Sequence, residues 1–298
     1  MSAAGPSQGA NSAPRGAAQR REPQAWGDHT SARMRVAAIQ MISGGDVAAN
    51  LAQAEPLIAD AVAGGAELVV LPEYFGILGA RAVDKLAARE SDGAGPQQEF
   101  LARMARSHQV IVVGGSVPLE SGDPQRVHSA CLVYDTKGER IARYDKIHLF
   151  RFTQGSEDYD EARTIVPGAT VSSFNAACGR VGLSICYDVR FPELYRELGD
   201  CALLLVPSAF TATTGAAHWE LLLRARAVEN QCYVLAAAQG GVHPNGRRTW
   251  GHSLLADPWG EIVASLPEGP GVVIGEVDPV HIAAVRARLP AHAHRVLA

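Results

Sequence analysis

The 298-residue sequence predicts an α/β fold built on two mixed β-sheets flanked by helices. From Met34 onward, apolar runs of strand length mostly alternate with helix-length stretches. Some neighbouring strands are joined through helices and others through tight polar turns, so parallel and antiparallel pairing must coexist. Hydrophobic residues make up 47% of the chain, enough for one large core.

The elements follow in order. Residues 34–41 form the first strand and 47–63 the first helix. Residues 66–71 read as a buried strand broken by Pro72. A helix over 97–107 precedes a strand over 110–114. Strands over 128–134 and 141–144 flank Asp135-Thr136-Lys137-Gly138, a turn with the glycine a hairpin wants. The apolar run 181–185 is a strand, and Pro192 suits the first turn of a helix over 193–198, where a missing N–H costs nothing. Residues 202–206 are a strand, 217–231 a long helix, 233–238 a strand and 254–263 a second hairpin. Gly114-Gly115 and Gly240-Gly241 read as places where the backbone must bend.

Three strand ends carry chemistry. Cys186 closes the run 181–185 just before a polar turn, a stiff support on which a thiol nucleophile is useful; a buried core cysteine is the bland alternative. Glu73 stands just beyond Pro72, and Lys146 leaves the strand 141–144 into a long irregular segment. A solvated charge at a strand end explains either one alone. Together they matter, because ligands gather at the carboxyl ends of strands in sheet-based folds.

Leu71-Pro72-Glu73-Tyr74, Tyr144-Asp145-Lys146-Ile147-His148-Leu149 and Cys186-Tyr187-Asp188-Val189-Arg190-Phe191-Pro192-Glu193 resemble, in order, the three signature segments of the nitrilase superfamily of carbon–nitrogen hydrolases. The likeness runs from Met34 to the C-terminus. Residues 216–233 and 251–260 resemble its Nit-type amidase branch. The resemblance implies a four-layer α-β-β-α sandwich that pairs into a homodimer or higher homo-oligomer. The dimer would pack through the helices near 192–198 and 218–231, where Leu221, Leu222 and Val228 are apolar; packing on the chain's own sheet explains those three equally well.

The implied reaction cleaves a linear amide through a cysteine thioester, releasing ammonia and a carboxylic acid, with no metal or organic cofactor. Glu73 is the general base for Cys186. Lys146 and the Tyr187 backbone N–H stabilise the oxyanion. Glu161 matches a second glutamate of the family and would orient Lys146; by charge pattern alone it is one of several acids in a polar loop. Arg190 matches a position that contacts a substrate carboxylate, which a guanidinium can clamp bidentately; a structural pair with Glu193 is the alternative. The substrate is then a small-molecule amide bearing a carboxylate. The segment 221–239 resembles enzymes acting on deaminated glutathione, with ω-amidase action on α-ketoglutaramate or α-ketosuccinamate as the alternative. A nitrilase, a carbamoylase and a catalytically idle binding protein are the remaining readings.

The net charge of −4 with no basic block gives no reason to expect nucleic acid, and no apolar run reaches the length of a membrane span. Five cysteines without paired spacing fit free thiols in a reducing cytoplasm. The histidines, among them His148, His218, His243 and His252, lack metal-ligand spacing. Residues 1–33 are rich in Ala, Gly, Ser, Pro and Arg without apolar period, so they are expected to be a disordered extension ahead of a hydrolase domain over 34–298. A targeting segment and a start at Met34 remain open alternatives.

Overall fold

A computed structural model describes residues 1, 31–155 and 157–296. The disorder expected of residues 1–33 therefore falls, over 2–30, outside the described residues. Ala32 and Arg33 are tied to the domain: the Ala32 N–H donates to the Ala177 carbonyl, and Arg33 pairs with Glu276 and Asp278.

Two mixed sheets form the centre, as expected. In the first, Met34–Gln40, Leu68–Val70 and Ile111–Val113 run parallel, and Gly271–Val277, Val127–Tyr134, Val117–Glu120 and Arg140–Asp145 are added antiparallel. In the second, Gly179–Leu183, Leu203–Leu205 and Tyr233–Ala236 are parallel, and Ser173–Ala176, Ser253–Ala256 and Ile262–Leu266 antiparallel.

Strand alternation explains the layering. Side chains of successive residues face opposite ways. Val36, Ala38, Leu68 and Val70 enter the core shared with the second sheet, while Ala37, Ile39, Val69 and Leu71 pack outward with Ile58, Phe100, Leu101 and Met104 of the helices Val47–Ala63 and Pro96–His108. The outer side of the second sheet is covered by Pro192–Leu198 and Ala212–Asn230, which bury Leu194, Leu198, Trp219 and Leu223. Both sheets are thus apolar on two faces, and the result is a four-layer α-β-β-α sandwich.

Three expectations are corrected. The long helix begins at Ala212, five positions before the expected 217, because Thr211 caps it by accepting from the Thr214 N–H. Gly215, which hides that start in the sequence, is required there: a Cβ would lie 2.3 Å from Trp250. The irregular segment after Lys146 contains a hairpin, Arg151–Gln154 with Glu157–Asp160, too polar to show an apolar period. The last strand, Gly271–Val277, and the helix Pro279–Arg288 went unread, although Asp278 caps that helix through the Val280 N–H.

Candidate active site

Glu73, Lys146 and Cys186 leave their respective strands at one end of the sandwich and meet in its interior. The strand Leu68–Val70 gives way to Leu71 and Pro72, and the next residues turn sharply. Tyr74 adopts a left-handed φ of 58°, held by its N–H donating to the Ser116 hydroxyl at 2.8 Å. Gly115 lets this turn approach: its φ is +22°, and a Cβ there would lie 1.9 Å from the Pro72 carbonyl oxygen. Lys146 follows Arg140–Asp145 directly, with its N–H on the Ser129 carbonyl.

Cys186 opens a one-turn helix, Cys186–Arg190, with φ at 51° and its N–H donating to the Pro207 carbonyl. A side chain in this region costs about 1–2 kcal/mol and persists only where its surroundings enforce it, as functional sites do. Asp188 supplies that enforcement. Fully buried, it accepts from the Ile185 N–H at 2.8 Å, the His148 N–H at 3.0 Å and the Tyr144 hydroxyl at 2.7 Å. His148 Nδ1 lies 2.8 Å from Asp188 Oδ1, the oxygen that also accepts its backbone N–H, and the imidazole stacks on Phe191. One carboxylate therefore ties the cysteine turn to the segment carrying Lys146.

The charges converge on Lys146, which is 0% exposed. Its Nζ donates to Glu73 Oε1 at 2.7 Å and to Glu161 Oε1 and Oε2 at 2.9 and 2.7 Å. An ammonium has three protons, and all three are used. Glu73, 1% exposed, also accepts from the Ala209 N–H at 2.9 Å, and the Cys186 thiol is near enough to bear on its ionisation. Glu161 is held in turn by the Tyr74 hydroxyl at 2.6 Å and the Phe150 N–H at 2.7 Å.

Electrostatics separate the two carboxyls. Burial raises Glu73 above its ordinary value; Lys146 opposes this, and the Glu161 charge adds to it. Burial would raise Glu161 too, but Lys146 and Lys85 bring it below the ordinary carboxylate range. Burial alone would lower Lys146, yet Glu161 and Glu73 hold it well above an ordinary lysine. Burial and then the Glu73 charge push the Cys186 thiol well up. The resting state is a neutral thiol beside a carboxyl of raised basicity, with Lys146 charged throughout. That arrangement suits proton transfer from thiol to Glu73 during attack rather than a standing thiolate.

Tyr187 and Arg190 lie on the turn that Cys186 opens, and both are half-buried. The Tyr187 ring packs edge-on against Phe150 and Phe191. Arg190 does not pair with Glu193; its guanidinium nitrogens lie 3.3 and 3.4 Å from His218 Nδ1, and it covers the Phe210 and Tyr187 rings. Among the described residues no carboxylate pairs with it. Sequence reasoning passed over Asp188, Tyr74 and the Ala209 N–H. The first two stand inside the signature segments, Asp188 fully buried and Tyr74 half-buried, and only their tertiary partners set them apart; a backbone N–H leaves no trace in a sequence.

Comparison with known proteins agrees with this geometry. A family model described as "Carbon-nitrogen hydrolase" matches residues 35–287. A deaminated glutathione amidase of Synechocystis is 42% identical over 266 residues, covering 87% of this chain and 97% of that protein. The omega-amidase NIT2 of Homo sapiens is 37% identical over 261 residues, covering 86% and 92%. Among solved structures, Saccharomyces cerevisiae Nit3, titled a member of branch 10 of the nitrilase superfamily, superposes with a TM-score of 0.79 at 30% identity, over 89% of this chain and 97% of that one.

Proposed function

The chain belongs to the carbon–nitrogen hydrolases of the nitrilase superfamily, and from that premise we propose that it is an amidase acting on deaminated glutathione. Cys186 attacks the amide carbonyl while Glu73 takes the thiol proton. The oxyanion forms beside Lys146 and the Tyr187 N–H, which stands at the start of a helical turn where N–H groups have no partner within the turn. Glu73 returns the proton to the leaving amine, and a thioester remains. Glu73 then activates a water that releases the acid and restores the thiol. Because all three Lys146 protons already meet carboxylate oxygens, an oxyanion is stabilised by its charge or by displacing one Glu161 contact.

Ammonia, the product expected above, leaves only from a primary amide such as α-ketoglutaramate. Deaminated glutathione is a secondary amide, so its leaving group is the amine of cysteinylglycine and its acyl product is α-ketoglutarate.

The observation that carries the substrate class is Arg190, a half-buried guanidinium with no carboxylate partner among the described residues and free to clamp one. The higher identity to the glutathione-type relative supports that substrate over the ω-amides. The test is α-ketoglutarate formation from deaminated glutathione and from α-ketoglutaramate, the acyl product being common to both. A higher kcat/KM for the first supports the reading; a higher value for the second makes the enzyme an ω-amidase. Product from neither returns the question to nitriles and N-carbamoyl compounds.

A homodimer in the cytoplasm completes the proposal. Leu221 and Val228 are 68% and 47% exposed on the helix Ala212–Asn230, so packing on the chain's own sheet accounts for Leu222 but not for them. All five cysteines are free thiols, as a reducing compartment allows. Among the described residues no helix is long and apolar enough to cross a membrane.

A further inference from the structure

Two cations beside the active site remain outside the chemistry described so far. Arg247 precedes the strand Arg248–Trp250. Its guanidinium lies 4.7 Å from the centre of the Tyr159 ring, and Nη2 reaches the Ala209 carbonyl at 3.4 Å. Its Nε is buried without a hydrogen-bond partner. Lys85, in the short helix Asp84–Ala87, places Nζ 5.2 Å from the centre of the Tyr74 ring, the ring whose hydroxyl holds Glu161. Among the described residues neither cation has a carboxylate partner. Lys85 is depressed chiefly by burial; the nearby Glu161 and Glu73 charges oppose this, and Lys146 and Arg247 add to it, so three positive groups share the two catalytic carboxylates. Half-buried cations without a carboxylate in direct contact are costly, and an orphaned guanidinium N–H more so. An anionic ligand relieves both costs.

The surrounding rings give the position of that ligand. Tyr159, Phe150 and Tyr187 form an arc, with centroids 5.9 and 5.3 Å apart along it. Arg247 covers the Tyr159 end, and Arg190 lies 5.8 Å from the centre of the Tyr187 ring at the other. The floor beneath the arc is the catalytic cluster, since Phe150 donates its N–H to Glu161. Arg247 also marks the leaving-group side: it rests on the carbonyl of Ala209, whose N–H binds Glu73, the group that protonates the departing amine.

We propose that Arg247, assisted by Lys85, is a second carboxylate-binding subsite, opposite Arg190, which receives an anionic group on the leaving amine; the preferred substrate is then an elongated dianion with a carboxylate on each side of the scissile amide. The inference rests on the amidase reading above. Deaminated glutathione meets the requirement through its glycine carboxylate; α-ketoglutaramate has nothing to place there.

The test pairs a protein change with a substrate change. Wild type and Arg247→Gln are compared on deaminated glutathione, on the same compound with its glycine carboxylate converted to an amide, and on α-ketoglutaramate, following α-ketoglutarate formation throughout. In wild type, amidation of the glycine end should raise KM about tenfold, the worth of one charge-assisted contact. In Arg247→Gln that penalty should vanish, and the KM increase on deaminated glutathione should exceed the increase on α-ketoglutaramate. Lys85→Met should show the same pattern more weakly, which protects the test should Arg247→Gln fail to fold. If the variants raise KM equally on all three substrates, or still discriminate acid from amide as wild type does, the subsite assignment is overturned. Failure of wild type to hydrolyse any of the three is a different result, which removes the amidase reading and the proposal with it.

Discussion

The hydroxyl of Tyr144 donates to the carboxylate of Asp188 at 2.7 Å, and this contact joins the strand that delivers the lysine to the turn that presents the cysteine. Neither residue is among the reacting groups. Replacing Asp188 with Ala leaves the Tyr144 hydroxyl and the Ile185 and His148 N–H groups without their acceptor. Stability should fall by about 2–4 kcal/mol, since buried donors left unmet cost about 1–3 kcal/mol each with partial relaxation. Urea unfolding checks this; a midpoint equal to wild type would show that water replaces the carboxylate without penalty.

Cys186→Ala should abolish turnover and leave the fold intact, because the side chain is a small buried group whose surroundings are held by Asp188 and Pro207. Wild-type protein quenched during turnover should carry the acyl group as a mass increment on the peptide containing Cys186. Appreciable residual turnover in the variant would remove the thioester from the mechanism.

Lys146→Arg keeps the charge but puts a larger planar group into a site with no exposure, where the present ammonium already uses every proton. We expect kcat to fall by about 100-fold or more, the scale of losing an oxyanion contact. Overpacking should add a stability loss of about 1–3 kcal/mol. Turnover near the wild-type rate would count against any contact between Lys146 and the oxyanion.

The acid limb of the kcat/KM–pH profile should lie above 4.5, the ordinary carboxylate value, because Glu73 must be ionised to take the thiol proton and its burial raises it. Glu161→Gln removes a negative charge that contributes to the raised value, so the limb should move to lower pH as the rate falls. A limb that moves upward in that variant would mean that loss of the Lys146 anchor dominates the field at Glu73.

The cluster of Glu73, Lys146 and Cys186 was legible for a physical reason. Each of Glu73, Lys146 and Cys186 follows a strand; Glu73 and Cys186 come after apolar runs, whereas Lys146 follows the charged strand Arg140–Asp145 and is marked by its motif instead. Two mixed sheets were likewise legible, because some strands are joined through helices and others through tight turns. What escaped notice lies on stretches without period. Lys85 stands in a four-residue helix and Arg247 just before a three-residue strand, elements too short to show a period, and tertiary packing brings both to the site. The start of Ala212–Asn230 was hidden by a glycine that serves Trp250 rather than the helix. The polar hairpin of 151–154 with 157–160 has no apolar period to announce it, and Asp188 looked like one more acid until its burial and three donors were known.

Gly115 bears no functional group and has no place in the reaction, yet its α-hydrogen occupies the only space left beside the Pro72 carbonyl. A genetic screen for inactive variants would therefore place this inert position alongside the glutamates, the lysine and the cysteine. Its partition from the nucleophile would come from substrate-independent readouts: a Gly115 variant should lose the native turn before any ligand is added, whereas Cys186→Ala should fail only when there is an amide to cleave.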